Sequence, residues 1–191
     1  MNGAGGNHPS GTTTKEYYEN GDENADDLVS IFNLDEAGLR FVFDLNFIGT
    51  LLATQVFVVD MLGREGCSIV NISSVNADKP LTKIPAYSGA KAAVSNLTQW
   101  LAVHFAKSGI RVNAIMPGFF VTRQNQKMLF NEDGSPTART KKILAGTPMD
   151  RFGDPEELNG ALLFLINEKA ASFVTGAVVP VDGGFTAYSG V

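Results

Sequence analysis

The stretch CSIVNIS, residues 67–73, is short, apolar and rich in β-branched residues, and turn signals bound it on both sides. These features predict a buried β-strand. The run IRVNAIM, residues 110–116, has the same character and predicts a second buried strand. Between the two, Pro85 precedes a predicted helix over residues 86–107. Alternation of strand and helix in this order predicts a parallel α/β sheet.

The flanking elements extend this pattern. Asp35 is a predicted N-cap for a helix that continues to Leu62 and is apolar on nearly all sides. A helix that is apolar all round is buried on more than one face, so we expect it to pack on the sheet and on a partner subunit. Further along, Thr122 starts one predicted helix and Asp154-Pro155-Glu156 starts another. Residues 177–184 form a final predicted strand and turn.

The domain organisation predicted from these elements is simple. Residues 1–191 form one α/β domain, in which residues 7–34 are a polar surface segment and residues 35–191 are the catalytic core. The polar segment contains the acidic, turn-rich run ENGDENADD. Such a run is typical of a solvated loop.

Composition restricts the possible functions. The chain has 191 residues, of which 44% are hydrophobic and 18% charged, and its net charge is -5. An acidic protein is a poor non-specific ligand for nucleic acid. The single cysteine, Cys67, cannot form an internal disulfide, which favours a reducing compartment. No run of 18 or more uncharged apolar residues is present. We therefore expect a cytoplasmic protein without nucleic-acid or membrane partners.

Tyr87 and Lys91 carry the first chemical signal. They are four residues apart in AYSGAK, near the start of a predicted helix, so both lie on one helix face. An ammonium near a phenol favours the phenolate and lowers the tyrosine pKa. A tyrosine of this kind can exchange a proton with a substrate oxygen near neutral pH.

Ser74 and a glycine-containing turn are predicted at the same edge of the sheet. Ser74 lies 13 residues before Tyr87, at the carboxyl end of the first predicted strand. The next strand ends in Pro117-Gly118, with Thr122 just beyond. Ligands of open α/β sheets bind outside the carboxyl ends of the strands. A serine hydroxyl at this edge can polarise a carbonyl or stabilise an alkoxide.

Taken together, these motifs resemble the short-chain dehydrogenase/reductase family. They follow one another in the family's order and with its spacings over essentially the whole chain. The matching pieces are Asn2-Gly3-Ala4-Gly5, Asn46 in DLNFIGT, Ser74 in NISSVNA, Tyr87-x-x-x-Lys91, RVNAIMPGFFVT (111–122), RFGDPEE (151–157) and SFVTGAVVPVDGGF (172–185).

The resemblance implies catalytic roles for four residues. Tyr87 would be the general acid/base, and Lys91 would lower its pKa and hold the nicotinamide ribose hydroxyls. Ser74, in preference to its neighbour Ser73, would orient the substrate carbonyl. Asn46 would interrupt helix geometry and hold a water that links Lys91 to solvent. The implied reaction is hydride transfer between NAD or NADP and a secondary alcohol or ketone.

The resemblance also implies which segments contact the cofactor and which elements associate. The family builds its subunit interface from the helices that correspond to residues 35–62 and 86–107, so a homo-oligomer, a dimer or tetramer, is expected. Residues implied to contact NAD or NADP, besides Tyr87 and Lys91, are Asn2, Gly3, Ala4 and Gly5 near the adenosine ribose, and Pro117, Gly118, Val121 and Thr122 near the nicotinamide.

The branch of the family suggests a substrate. NGAGGNHP, the polar segment after it and the ending VDGGFTAYSGV look most like the sugar-acid branch, with D-mannonate/D-fructuronate as the expected pair. A gluconate-type or 3-oxoacyl reductase is the alternative. A sugar acid needs a cation for its carboxylate. Loop residues that could contribute are Lys79, Lys83 and Arg123 for the carboxylate, and Asn7, His8 and Asn76 for the hydroxyls.

The sequence departs from the family at the nucleotide fingerprint. No Gly-rich turn opens a strand-turn-helix unit, and NGAG corresponds to the end of the family's fourth strand. The chain therefore resembles the C-terminal part of a Rossmann-like, doubly wound sheet, strands 5-6-7, without the first Gly-rich βαβ units. We expect weak or no NAD(P) binding by this polypeptide alone and an unpaired edge on its first strand. Alternatives are a non-catalytic fragment that acts in assembly and a stand-alone binding module.

Overall fold

The computed structural model describes residues 1–123 and 125–190. Its sheet has three parallel strands in the order β1 (Ser68–Ile72), β2 (Arg111–Pro117) and β3 (Val178–Val181). The register pairs Ile69 with Val112 and Ala114 with Val178. The Rossmann-like α/β class predicted from the sequence is confirmed.

Helices cover both faces of this sheet. The helices are α1 (Glu36–Phe43), α2 (Gly49–Val58), α3 (Pro85–Phe105), α4 (Gln126–Leu129), α5 (Ala138–Ala145), α6 (Leu158–Ile166) and α7 (Glu168–Ala171). One face of the sheet carries α2 and the 21-residue α3, and the other carries α6.

The strands supply two hydrophobic clusters because their side chains alternate between the faces. Ile69 and Val112 pack with Leu97 and Leu101 of α3. Val70 and Ile115 pack on the opposite face against Leu165 of α6, which is fully buried. This two-sided burial explains why β1 and β2 are nearly continuous apolar runs.

The helical stretch Glu36–Met61 begins at the predicted cap, since the Asp35 carboxylate accepts hydrogen bonds from the backbone N–H groups of Ala37 and Gly38. By length and composition the stretch could cross a membrane, a test that core helices of soluble proteins also pass. Only 28% of its apolar window is buried within the chain. The predicted packing on the sheet is present, and a broad apolar face is left open to solvent.

The amino-terminal residues reach the outer edge of β1. The Asn2 N–H donates to the Val70 carbonyl at 2.9 Å, and the Ile72 N–H donates to the Asn2 carbonyl at 3.1 Å. This single parallel bridge corrects the expectation of a fully unpaired edge, because the carboxyl half of β1 is covered. A second difference concerns the segment after β2. The helix expected to start at Thr122 begins at Gln126, because the Thr122 N–H is taken by the Asn125 side chain.

Candidate active site

The carboxyl end of β1 and the first turns of α3 define the candidate site. Chain direction alone places Ser73 and Ser74 at this edge, since they follow Ile72 directly. Pro85 is the first residue of α3, where its missing N–H costs nothing. Tyr87 and Lys91 therefore lie on the first two turns of the helix and face the same edge as the serines.

The two adjacent serines have different surroundings. The Ser73 hydroxyl lies 2.6 Å from that of Ser95 and donates to the Lys91 carbonyl at 3.3 Å. Both hydrogen-bond partners of Ser73 therefore belong to α3. The Ser74 hydroxyl accepts from the Asn76 N–H at 3.3 Å, and Ser74 is near enough to Tyr87 to lower the pKa of its phenol. This arrangement supports Ser74, and not Ser73, as the residue available to a substrate.

Tyr87 is half-buried at the start of α3. Burial raises the pKa of its phenol, and the nearby Ser74 offsets only part of that rise. The lowered phenol pKa expected from the nearby lysine is therefore not found in this structure. The Lys91 Nζ lies 5.7 Å from the centre of the Tyr87 ring, one helical turn further along α3.

Lys91 is an unusual lysine because only 4% of it is exposed. Its Nζ donates one hydrogen bond, at 2.9 Å, to the Ile72 carbonyl. Burial lowers the pKa of the ammonium from 10.5 to about 8. A buried ammonium with three donors and one protein acceptor can hold additional hydroxyl groups.

Asn46 lies at the centre of a π-helical turn, Asp44–Ile48, which interrupts the helix between α1 and α2 as expected. Its side chain is fully buried and donates to the carbonyls of Val42 and Gly6, both at 2.7 Å. The Gly6 N–H in turn donates to its Oδ1 at 3.1 Å. Two hydrogen bonds between Asn46 and Gly6 therefore hold the amino-terminal segment against the helix.

Gly5 lies between Asn46 and Lys91. A Cβ atom at Gly5 would lie 2.7 Å from the Asn46 Oδ1 and 2.9 Å from the Lys91 Nζ, so only glycine fits without displacement. Asn2 is held by its side chain, which donates to Thr54 and to Asn71. The exposed strip Gly3-Ala4-Gly5 consequently borders the two buried polar residues.

The turn after β2 lies beside this edge. The Gly118 N–H donates to the Val181 carbonyl at 2.9 Å, and a Cβ at Gly118 would lie 2.7 Å from the Asp182 backbone. Val121 is half-buried, and Thr122 is exposed. Sequence reasoning missed a cavity of about 360 Å³ next to this turn. Its lining includes Phe119, Phe120, Met149, Arg151, Asp182 and Gly184.

These residues fit one half of a dinucleotide cofactor. The Lys91 ammonium has unused donors beside a backbone strip without bulky side chains, which suits ribose hydroxyls. The expected role of Asn46 as a water holder stays a prediction, as do all the cofactor contacts expected from the sequence. Within residues 1–123 and 125–190, no group of three or more His, Cys, Asp or Glu side chains could hold a metal ion.

The fold and the site define a Rossmann-like α/β protein with a Ser, a Tyr and a Lys gathered at the carboxyl edge of the sheet. A family model described as enoyl-(acyl carrier protein) reductase matches residues 25–186. The chain belongs to the short-chain dehydrogenase/reductase family.

Relatives extend this result over the full chain. An oxidoreductase of Haemophilus influenzae, whose activity is uncharacterised, is 61% identical over all 191 residues, which cover 66% of that protein. A crystal structure from Haemophilus influenzae with bound NAD, provisionally named a D-mannonate oxidoreductase, matches with a TM-score of 0.93 and 60% identity. The match covers 98% of this chain and 66% of that one. The chain thus spans about two thirds of the length of these relatives.

A more distant structure shows the breadth of the family. It is provisionally named a 2-deoxy-D-gluconate 3-dehydrogenase, comes from Agrobacterium tumefaciens and contains NADP. It matches with a TM-score of 0.76 and 36% identity over 84% of this chain and 63% of the other. Both structures hold a nicotinamide cofactor and carry names that refer to sugar acids or their relatives.

Proposed function

We propose that the chain is the catalytic part of an NAD(P)-dependent oxidoreductase that interconverts a secondary alcohol and a ketone in a sugar acid, D-mannonate and D-fructuronate being the favoured pair. The observation that carries the proposal is the grouping of Ser74, Tyr87 and Lys91 at one sheet edge. The 60% identity to the Haemophilus structure supports the choice of substrate.

The chain's own residues supply orientation and the proton. In the reduction direction, Ser74 donates a hydrogen bond to the ketone oxygen. Tyr87, whose raised pKa keeps it protonated at neutral pH, gives its proton to that oxygen as the alkoxide forms. Lys91 provides positive charge close to the developing phenolate. NAD(P)H, when bound, supplies the hydride that reduces the carbonyl carbon.

The cofactor would lie along two strips of backbone. Lys91 and Tyr87 would hold the nicotinamide ribose, and Pro117, Gly118, Val121 and Thr122 would border the nicotinamide ring. Asn2, Gly3, Ala4 and Gly5 would border the adenosine side. The choice between NAD and NADP is left open, because the two related structures contain one each.

We further propose a homo-oligomer in the cytoplasm, assembled through residues 35–62 and 86–107. The support is the apolar side chains that these helices leave in solvent. Exposed members are Phe41, Leu52, Val56, Phe57, Val59, Trp100 and Val103. An exposed apolar face of this kind marks a protein contact.

The test of the proposed function is turnover of D-mannonate with NAD or NADP, followed by absorbance of the reduced cofactor. Tyr87→Phe removes the proton donor and should lower kcat at least about a hundredfold. Tyr188→Phe, near the C-terminus, is the matched control and should keep full activity. Turnover by Tyr87→Phe would exclude the catalytic assignment.

A second candidate function is favoured by the exposed helix faces: a non-catalytic chain that acts only in assembly. An oligomer that turns over neither D-mannonate nor D-gluconate would support it. Turnover of D-gluconate alone would instead favour a gluconate-type reductase, in line with the Agrobacterium structure.

A further inference from the structure

The polar segment 7–34 does not stand free in solvent but lies against the candidate site. Its Thr13 N–H donates at 2.9 Å to the carbonyl of Lys83, four residues before Tyr87. Three residues later, the Glu16 carboxylate accepts from the Lys142 Nζ of α5 at 2.8 Å. The segment thus joins the loop before α3 to a helix 126 residues away in sequence.

Lys142 pairs directly with the Glu16 carboxylate, and two further cations act on its charge. The hydrogen bond from Lys142 lowers the pKa of Glu16 most, and the charges of Lys142, Lys83 and Arg139 lower it further. Arg139 lies one turn before Lys142 on α5. Among the described residues, neither Lys83 nor Arg139 has a carboxylate within 4.0 Å. The charges of three cations therefore act on one carboxylate, and among the described residues only Lys142 lies within 4.0 Å of it.

The backbone at Lys83 supports a specialised role. Its φ of 74° lies in the left-handed region, which is costly for a residue with a side chain. The hydrogen bond from Thr13 holds it there. The lysine is consequently fixed between the polar segment and the helix that carries Tyr87.

We propose that Lys83, Arg139 and Lys142 form the subsite that binds the carboxylate of the substrate, with Glu16 as a resident carboxylate that competes for the same cations. This inference rests on the proposed function, because it assumes an acidic substrate. A carboxylate prefers several charge-assisted donors, and a planar guanidinium binds it in a bidentate manner. The ion pair with Glu16 is exposed, so a substrate can displace it at little cost.

The test is a titration of the 191-residue chain with D-mannonate, and with the uncharged D-mannitol, followed by NMR of the backbone amides. Lys83→Met and Arg139→Met should each weaken D-mannonate binding about tenfold. Glu16→Gln should tighten it several-fold, because it removes the competing carboxylate. Lys107→Met, at the far end of α3, is the matched control and should bind like the unmodified chain.

The outcomes separate this inference from the proposed function. Three results would overturn the subsite. D-mannitol could bind as tightly as D-mannonate, neither could bind detectably, or Lys83→Met and Arg139→Met could leave D-mannonate binding unchanged. If D-gluconate binds with the same dependence on Lys83, Arg139 and Glu16 while D-mannonate is not turned over, the subsite stands and the proposed substrate fails. If D-mannonate is turned over with an unchanged KM in the variants, the function stands and the subsite fails.

Discussion

At the scale of one residue, the burial of Lys91 changes the pKa of its ammonium and thereby the pH dependence of stability. The folded chain loses the Lys91 proton near pH 8, whereas an unfolded chain keeps it until about pH 10.5. Below pH 8 the folded state bears the full cost of a buried ammonium, roughly 3 kcal/mol. This cost disappears as the pH rises from about 8 to 10.5, so this group's contribution to stability rises over that window.

Replacing Lys91 by methionine should therefore have an effect that depends on pH. Lys91→Met should gain stability relative to the unmodified chain at pH 7, and the gain should fall to less than half by pH 9.5. The lost hydrogen bond to Ile72 lowers the gain equally at every pH, so the dependence itself is the readout. Urea denaturation at several pH values measures it. Exposed Lys107→Met should show no such trend, and a constant difference for Lys91→Met would contradict the prediction.

Two glycines should respond to alanine with opposite signs. Gly5→Ala places a Cβ 2.7 Å from Asn46 and 2.9 Å from Lys91, which should destabilise the fold by about 1–3 kcal/mol. Gly160 lies inside α6 with nothing within 4 Å of the added Cβ. Gly160→Ala should therefore stabilise by about 0.5–1 kcal/mol. Thermal unfolding of both variants tests this. Unchanged stability in Gly5→Ala would show that the strip Gly3-Ala4-Gly5 can move away from Asn46 and Lys91.

Local sequence patterns predict much of the residue-level site, but not its electrostatics. Spacing alone places Tyr87 and Lys91 together, and strand direction adds Ser74. The pKa values follow from burial, which depends on packing against residues far along the chain. Lys83 was named from the sequence for the substrate carboxylate, but Arg139 and Lys142 were missed for the same reason, since Glu16 and Lys142 are 126 residues apart.

At the scale of elements, the long helix depends on the turn around Asn46. The side chain satisfies three backbone groups, two of them on Gly6. Asn46→Ala leaves these groups buried without partners and should cost about 2–4 kcal/mol. Exposed Gln55→Ala, on the same helical stretch, should change stability by less than about 0.5 kcal/mol. Equal denaturation midpoints for the two variants would mean that the π-helical turn forms without Asn46.

The elements themselves follow from sequence where a local signal exists. The β-branched runs predicted β1 and β2, and the Asp35 cap predicted the helix start. The segment after β2 was harder to predict. There the Asn125 side chain competes with helical hydrogen bonds by binding the Thr122 N–H and the Phe120 carbonyl, so the helix starts later than expected.

At the scale of the whole molecule, the described residues contain no Gly-rich strand-turn-helix unit of the kind that holds a pyrophosphate. They form three strands and one bridge at Asn2, and the unused hydrogen-bond donors of the candidate site lie at Lys91, where the nicotinamide ribose would bind. We therefore expect isothermal titration of this polypeptide to give a dissociation constant for NADH well above the micromolar range. Micromolar binding would show that the residues present suffice to hold the nucleotide.

The exposed helix faces determine whether the chain is a monomer. Phe57 on α2 and Val103 on α3 are 66% and 80% exposed, and a homo-oligomer would bury both. Placing a charge in that interface without a partner is costly, so Phe57→Glu and Val103→Glu should each shift the chain to monomer. Phe173→Glu is the matched control: Phe173 is equally apolar and exposed but follows α7 and belongs to neither helix. Sedimentation velocity distinguishes the outcomes. An oligomer that survives both helix variants but dissociates in Phe173→Glu would place the contact at the loop after α7 instead.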